Sequence, residues 1–197
     1  MRLVNQSECC PVCGRRTGEH VLCGACLSRR PPFCEGHYGY YFEHQVREVL
    51  HAFKFGGRID AGRLLTSRIA DRILAITALF DCIVPIPVSR KRLRERGFNQ
   101  SFIMAEEIGH LLQKPLLFST LIKSIHRVDQ FSLPRAERRQ NVKNVFSVSK
   151  PETITGKRVL LVDDLYTTGA TVTEASTILL RHGAQSVMVF ALARTPS

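Results

Sequence analysis

Two neighbouring carboxylates, Asp163 and Asp164, sit between an apolar run and a cluster of hydroxyls in Val159-Leu-Leu-Val-Asp-Asp-Leu-Tyr-Thr-Thr-Gly-Ala-Thr171. The four residues before them are apolar, as in a strand buried on both faces. From Thr173 to Arg181 the pattern becomes helical. A buried strand therefore delivers both acids to its carboxyl end, and a tight turn around Gly169 opens a helix. Free N–H groups at a helix N-terminus favour anions by about 0.3–1 kcal/mol per exposed charge and by up to about 2 when partly buried. Two acids just ahead of such a turn suit the hydroxyls of a sugar, so the stretch has the chemistry to hold a phosphorylated ribose. An ordinary strand-turn-helix with capping Thr and Asp has the same outline. The chain has no Gly-Lys-Ser/Thr and no Gly-x-Gly-x-x-Gly, which argues against a P-loop and against a dinucleotide fold.

A second cluster lies near the N-terminus. Cys10-Pro-Val-Cys13 and Cys23-Gly-Ala-Cys26 are two CxxC pairs separated by nine residues. Each pair puts two thiolates on one turn, and together they make the tetrahedral four-sulfur shell that zinc prefers. Disulfides or a redox CxxC use the same residue type, but disulfides rarely persist in a reducing compartment. Cys9 is an alternative to Cys10 as ligand, with Cys34 and His20 as lesser candidates. Residues 1–30 carry little apolar material, so the metal is expected to be structural and to supply folding energy.

The surrounding elements must position these groups. A chain of 197 residues with 44% hydrophobic content holds one ordinary domain and a small appendage. Its net charge of +11 favours polyanionic or phosphate-rich partners, although a solvated basic surface gives the same balance. No apolar stretch reaches about 18 residues and the first residues lack a signal-peptide centre, so a cytoplasmic protein without membrane insertion is expected. Pro31-Pro32 marks the exit from the cysteine module, giving a zinc-finger module over 1–34 and an α/β domain over 35–197. Strand composition at 38–42, 82–87, 116–122, 145–148, 159–162 and 186–192 alternates with helical stripes at 45–53, 60–77 and 101–113. That order predicts a mostly parallel sheet flanked by helices. Leu64, Leu65, Ile69, Ile73 and Leu74 are expected inward on the second helix, and Ile103, Met104, Ile108, Leu111 and Leu112 on the third. Two basic stretches, 89–100 and 127–142, read as loops at the ligand-binding end of the sheet, or else as solvated surface or a helix with Arg-Glu pairs.

The acid-hydroxyl stretch resembles the phosphoribosyl-diphosphate (PRPP) motif of type I phosphoribosyltransferases: four hydrophobics, two acids and a Thr-Gly-x-Thr turn. The whole chain resembles the ComF/GntX family of competence-protein-F-like proteins, a zinc finger fused to a phosphoribosyltransferase domain. The resemblance rests on the cysteine quartet, Lys54-Phe-Gly-Gly57, Val84-Pro-Ile-Pro87, Arg92, Arg96-Gly-Phe-Asn-Gln100, Gln130-x-x-Leu133, Arg138-x-x-Asn141, Phe146 and the acid-hydroxyl stretch. It implies structural Zn²⁺ on Cys10, Cys13, Cys23 and Cys26, and Mg²⁺ arriving with PRPP. Asp163 and Asp164 would hold the ribose hydroxyls. In the loop Leu165, Tyr166, Thr167, Thr168, Gly169, Ala170 and Thr171, the last five residues would cradle the 5′-phosphate.

The resemblance also maps Ser89, Arg90, Lys91 and Arg92 to a pyrophosphate loop, with Arg92 and Arg96 balancing charge on the leaving group. A flap over about 126–141 would include Arg127, Gln130, Arg135 and Arg138. Lys54 beside its glycine pair can reach a phosphate, although a tight turn accounts for the glycines alone. Thr167 and Ala170 replace the acid and lysine that purine-salvage members carry, so hypoxanthine and guanine are poor acceptors. The family implies DNA uptake or use, with single-stranded DNA and uptake proteins as partners. An active transferase, a PRPP or nucleotide sensor, and a single-stranded DNA-binding protein all remain open.

Overall fold

The valine- and leucine-rich strand ahead of the acids lies inside a sheet because its alternate side chains meet apolar partners on both faces. The computed structural model describes residues 1–123 and 145–196. Its strands are β1 (Glu35–Tyr41), β2 (Cys82–Pro85), β3 (Leu121–Lys123), β4 (Phe146–Val148), β5 (Arg158–Tyr166) and β6 (Ser186–Arg194). Four of them pair in parallel in the order β1-β6-β5-β2, and β3 pairs with β4 in an antiparallel ribbon. On β5, Val159 and Leu161 enter one core while Leu160 and Val162 enter the other. Val187 and Val189 of β6 repeat the first alternation, and Met188 and Phe190 repeat the second. Period-two burial on both faces requires a layer on each side.

One layer is helical. It contains α2 (His44–Phe55), α3 (Ile59–Ser67), α4 (Ala70–Leu74) and α6 (Gln100–Leu112). Val46, Leu50 and Phe53 of α2 and Met104 and Ile108 of α6 are fully buried there. The other layer combines α7 (Ala170–Arg181) with the N-terminal residues, including the short α1 (Gly24–Ser28). Val4, Cys9, Cys10, Val12, Cys26 and Phe33 share one apolar cluster with Tyr38 and Tyr41 of β1 and Tyr166 of β5.

Three helical expectations need correction. The helix expected over 60–77 is broken, and the chain leaves helical geometry at Ile69 (φ −115°, ψ 22°). The Thr66 and Ser67 hydroxyls donate back to the Gly62 and Leu64 carbonyls at 3.0 Å each, competing with the backbone ladder. The break sends Ile69 into the core and rotates the following turn, leaving Leu74 exposed, as Leu64 is before it. Leu111 is exposed as well, because Met104, Ile108 and Leu112 take the inward positions of α6. Finally, the basic stretch after β2 takes the helical alternative rather than the loop, as α5 (Arg90–Arg96), capped by Ser89 Oγ, which accepts from Arg92 N–H at 3.3 Å. Gly97 ends it in the left-handed region at φ 83°.

Gly62 lets α3 approach α2. A Cβ there would lie 2.5–2.7 Å from the ring of Phe53, which stacks on Phe98 at 5.6 Å. Gly62→Ala is expected to destabilise by about 1–3 kcal/mol through overpacking, read as a lower urea midpoint at unchanged slope. An unchanged midpoint would show that the α2–α3 contact yields freely.

Candidate functional site

The two acids end in different environments. Asp163, in register with Ala191 of β6, is only 9% exposed. Its Oδ1 accepts from Ser101 Oγ at 3.2 Å and from the Asp164 backbone N–H at 2.9 Å. Burial, and then the charge of Asp164, push its carboxyl up to about 7. Asp164 Oδ2 lies 2.5 Å from Lys54 Nζ, a charge contact without hydrogen-bond geometry, with side chains 14% and 20% exposed. Both acids are expected, from the resemblance, to hold the ribose hydroxyls, and the geometry leaves them unequal. One is buried and the other is covered by a lysine.

Lys54 belongs to a cationic wall. Arg47, His51 and Lys54 recur on one face of α2 and line a cleft of about 580 Å³ with Arg92 and Arg96 of α5. Phe55 is 67% exposed at its edge, met by the tilted ring of His51 at 4.8 Å and covered by the Arg96 guanidinium at 5.1 Å. Burial lowers the Arg96 pKa while the charge of Asp164 supports it. Despite Glu95 the cleft carries a cationic excess that favours anions, and α5 joins it through Arg92, Glu95 and Arg96.

The hydroxyl turn opens a second cleft. Thr167, Thr168, Ala170 and Thr171 are exposed, and Gly169 caps α7 at φ 79°. Thr168 Oγ1 accepts weakly from the Ala170 N–H at 3.4 Å. Tyr166, Thr167 and Thr168 line a cleft of about 970 Å³ opposite Cys13, Cys26, Arg29 and Arg30, with Arg181 of α7 at its side. The carboxyl end of β5 thus stands between two arginine-rich hollows, and neither acid lines either of them.

The cysteine quartet converges. The Sγ atoms of Cys10, Cys13, Cys23 and Cys26 lie within 4.8 Å of one another, and Cys13 and Cys23 approach to 3.5 Å. A tetrahedral zinc with bonds of about 2.3 Å places its sulfurs about 3.8 Å apart, so the quartet fits zinc. Cys9 turns instead to the Tyr41 hydroxyl at 3.6 Å, Cys34 to the Val187 carbonyl, and His20 Nδ1 to the Gln6 carbonyl. Burial opposes the Cys10 thiolate, but backbone N–H groups of Cys13, Cys23 and Val12 outweigh it and bring the thiol down to about 7. Burial pushes Cys13 up to about 11.

Of the expected site residues, Lys54, Arg92 and Arg96 are brought together, as are Tyr166, Thr167, Thr168 and Ala170. Ser89, Arg90 and Lys91 form the cap and first turn of α5, where Lys91 pairs with Glu95 at 3.8 Å. Arg127, Gln130, Arg135 and Arg138 lie outside the described residues. Sequence reasoning missed Ser101, Arg47 and His51. The 47-51-54 spacing on a helix could have revealed the last two. Ser101 follows the α6 cap Asn99, whose Oδ1 accepts from Ser101 N–H at 3.0 Å.

Comparisons with known proteins agree with this geometry. A family model described as a phosphoribosyl transferase domain matches residues 99–197. DNA utilization protein YhgH of Escherichia coli O157:H7 is 31% identical over 192 residues, covering 94% of this chain and 84% of its own. Competence protein F of Haemophilus influenzae is 33% identical over 195 residues, with the same coverage of 94% and 84%. The glutamine PRPP amidotransferase from B. subtilis, solved with ADP and GMP, superposes with a TM-score of 0.50 at 22% identity. That superposition covers 72% of this chain and 30% of the amidotransferase, a likeness of fold alone. The fold is that of type I phosphoribosyltransferases, a parallel sheet flanked by helices. Among the described residues no helix is long and apolar enough to cross a membrane.

Two outcomes follow from the site. Because the folded state holds a proton on Asp163 that the unfolded chain releases near pH 4, its stabilising contribution is complete below pH 4. That contribution is lost as pH rises to about 7. Asp163→Asn is therefore expected to stabilise the chain at pH 8 by a few kcal/mol and to flatten the pH 4–7 slope of urea midpoints; equal slopes in both proteins would contradict a buried protonated carboxyl. Cys13→Ser and Cys23→Ser are each expected to lose the bound zinc and to aggregate more readily, checked by elemental analysis and light scattering.

Proposed function

The chain belongs to the family of competence protein F and DNA utilization protein YhgH, and from that membership we propose that it binds PRPP, as its magnesium salt, across the carboxyl end of β5 and serves the uptake or use of DNA. One observation carries the reading. An exposed hydroxyl turn at the N-terminus of a twelve-residue helix follows the acids after two intervening residues, with Lys54, Arg92 and Arg96 gathered on the other side. Thr167 to Thr171 receive the 5′-phosphate through backbone N–H groups and hydroxyls. The cationic wall of α2 and α5 receives the pyrophosphate. Lys54 then moves from Asp164 to that pyrophosphate, freeing the carboxylate to accept from a ribose hydroxyl. Asp163 stays buried, and its Oδ1 fixes the backbone N–H of Asp164 and the Ser101 hydroxyl.

With the sugar held at both ends, loss of pyrophosphate builds positive charge on the ribose. Magnesium supplies charge neutralisation on the phosphates. Preorganised donors such as Arg92 and Arg96 typically contribute about 3–4 kcal/mol each to such a step. Thr167 and Ala170, where purine-salvage enzymes carry an acid and a lysine, speak against a purine base as acceptor.

The cleft between the cysteine module and α7 supports a second reading. Arg15, Arg29, Arg30 and Arg181 line it, cations suited to a phosphate backbone such as that of single-stranded DNA. Binding of that kind weakens steeply with added salt.

Calorimetry with magnesium PRPP tests the proposal. Wild-type protein should bind, and Asp164→Asn should bind at least tenfold more weakly, since a hydrogen bond to a charged group is worth about 1.5–3 kcal/mol. No heat of binding with the zinc-loaded wild type would reject it. Release of pyrophosphate, followed with and without single-stranded DNA and free bases, separates turnover from sensing.

A further inference from the structure

The hydroxyl turn and the cysteine quartet share more than a cleft: a short run of contacts joins them through the core. Gly169, the left-handed cap of α7, sits against Tyr166. A Cβ on it would overlap the Tyr166 hydroxyl and lie 2.7 Å from ring carbon Cζ. The Tyr166 ring meets Tyr38 edge to face, with centroids 5.0 Å apart. Tyr38 in turn supports the first cysteine turn from beneath. Its hydroxyl donates to the Val12 carbonyl at 3.0 Å, between ligands Cys10 and Cys13. Its ring fills the space where Gly14 would carry a Cβ, and Gly14 is itself left-handed at φ 66°. Arg194, at the end of β6, donates to the Gly14 carbonyl at 2.6 Å and fixes the same turn to the sheet.

Each contact is close-packed, so displacement at one end is felt at the other. Metal ligation ties the first turn to Cys23 and Cys26. Apart from a metal, the two CxxC turns meet only through weak sulfur contacts, such as the 3.5 Å approach of Cys13 and Cys23 and the Cys23 backbone N–H on Cys10, among the described residues.

We infer that Tyr166 is a positioning residue that seats the anion-binding turn on the metal centre, so that zinc occupancy of Cys10, Cys13, Cys23 and Cys26 sets the conformation of Thr167–Thr171. The consequence for PRPP rests on the function proposed above, whereas the structural coupling does not. By reciprocity, zinc tightens anion binding by the same factor as the bound anion tightens zinc.

Hydrogen exchange read by mass spectrometry tests the coupling without any ligand. The full-length chain is compared zinc-loaded, after chelation, and as zinc-loaded Tyr38→Leu, on peptides spanning 166–172 and 186–193. Exchange in 166–172 should rise at least tenfold both on chelation and in Tyr38→Leu, while 186–193 stays protected. Unchanged exchange in the turn after chelation overturns the inference. Equal loss of protection in both peptides overturns it too, because the metal would then hold the whole sheet. Should Tyr38→Leu fail to fold, the chelation comparison alone decides. Absence of PRPP binding by the zinc-loaded chain would reject only the ligand, leaving the exchange result to judge the coupling.

Discussion

Everything at the functional end of the molecule depends on placing two adjacent carboxylates at the tip of a strand buried on both faces. Neither can stay there uncompensated. Asp163 faces the interior, where burial and its neighbour favour the protonated form and Ser101 donates to it. Asp164 retains a cationic partner, Lys54, brought from α2. An exposed ion pair contributes about 0.2–1 kcal/mol, whereas removing one partner of a fully buried pair costs about 3–5. With both side chains largely but not fully covered, the Lys54–Asp164 contact lies between these limits. An anionic ligand offering Lys54 an alternative partner would offset that cost, while a neutral sugar would not.

This arrangement gives the flanking elements a common purpose. α2 carries Lys54 with Arg47 and His51 on one face, and Gly62 allows α3 close enough to fix Phe53 beside it. α5 turns a dense run of cations into an ordered wall by taking a serine cap and a glycine stop. On the opposite face the cysteine module contributes to the core that supports Tyr166, so the quartet and the turn after the acids share one packed layer. The comparison with family members joins a phosphoribosyl transferase domain to proteins named for DNA utilization and competence, and the two arginine-rich hollows suit ligands rich in phosphate.

Much of this was legible in the sequence. Buried strands announce themselves as valine- and leucine-rich runs, and the two CxxC pairs identified the four converging sulfurs directly. What was hidden depends on contacts between distant residues. The glycines after Lys54 suggest a turn, but nothing local reveals that its ammonium covers Asp164. Adjacent acids look equivalent in a motif, yet strand geometry sends one inward. The break at Ile69 was obscured because the apolar positions alone continue a helical stripe, while the hydroxyls of Thr66 and Ser67 decide otherwise. α5 has no apolar stripe, so its dense charge fits a loop and a helix with Arg-Glu pairs equally well.

A crystal structure of the zinc-loaded chain with magnesium PRPP tests the central claim most directly. The account predicts the 5′-phosphate on Thr167–Thr171, Lys54 Nζ on the pyrophosphate, and the released Asp164 carboxylate on a ribose hydroxyl above a still-buried Asp163. PRPP bound elsewhere, or bound at this turn with the Lys54–Asp164 contact intact, would contradict it.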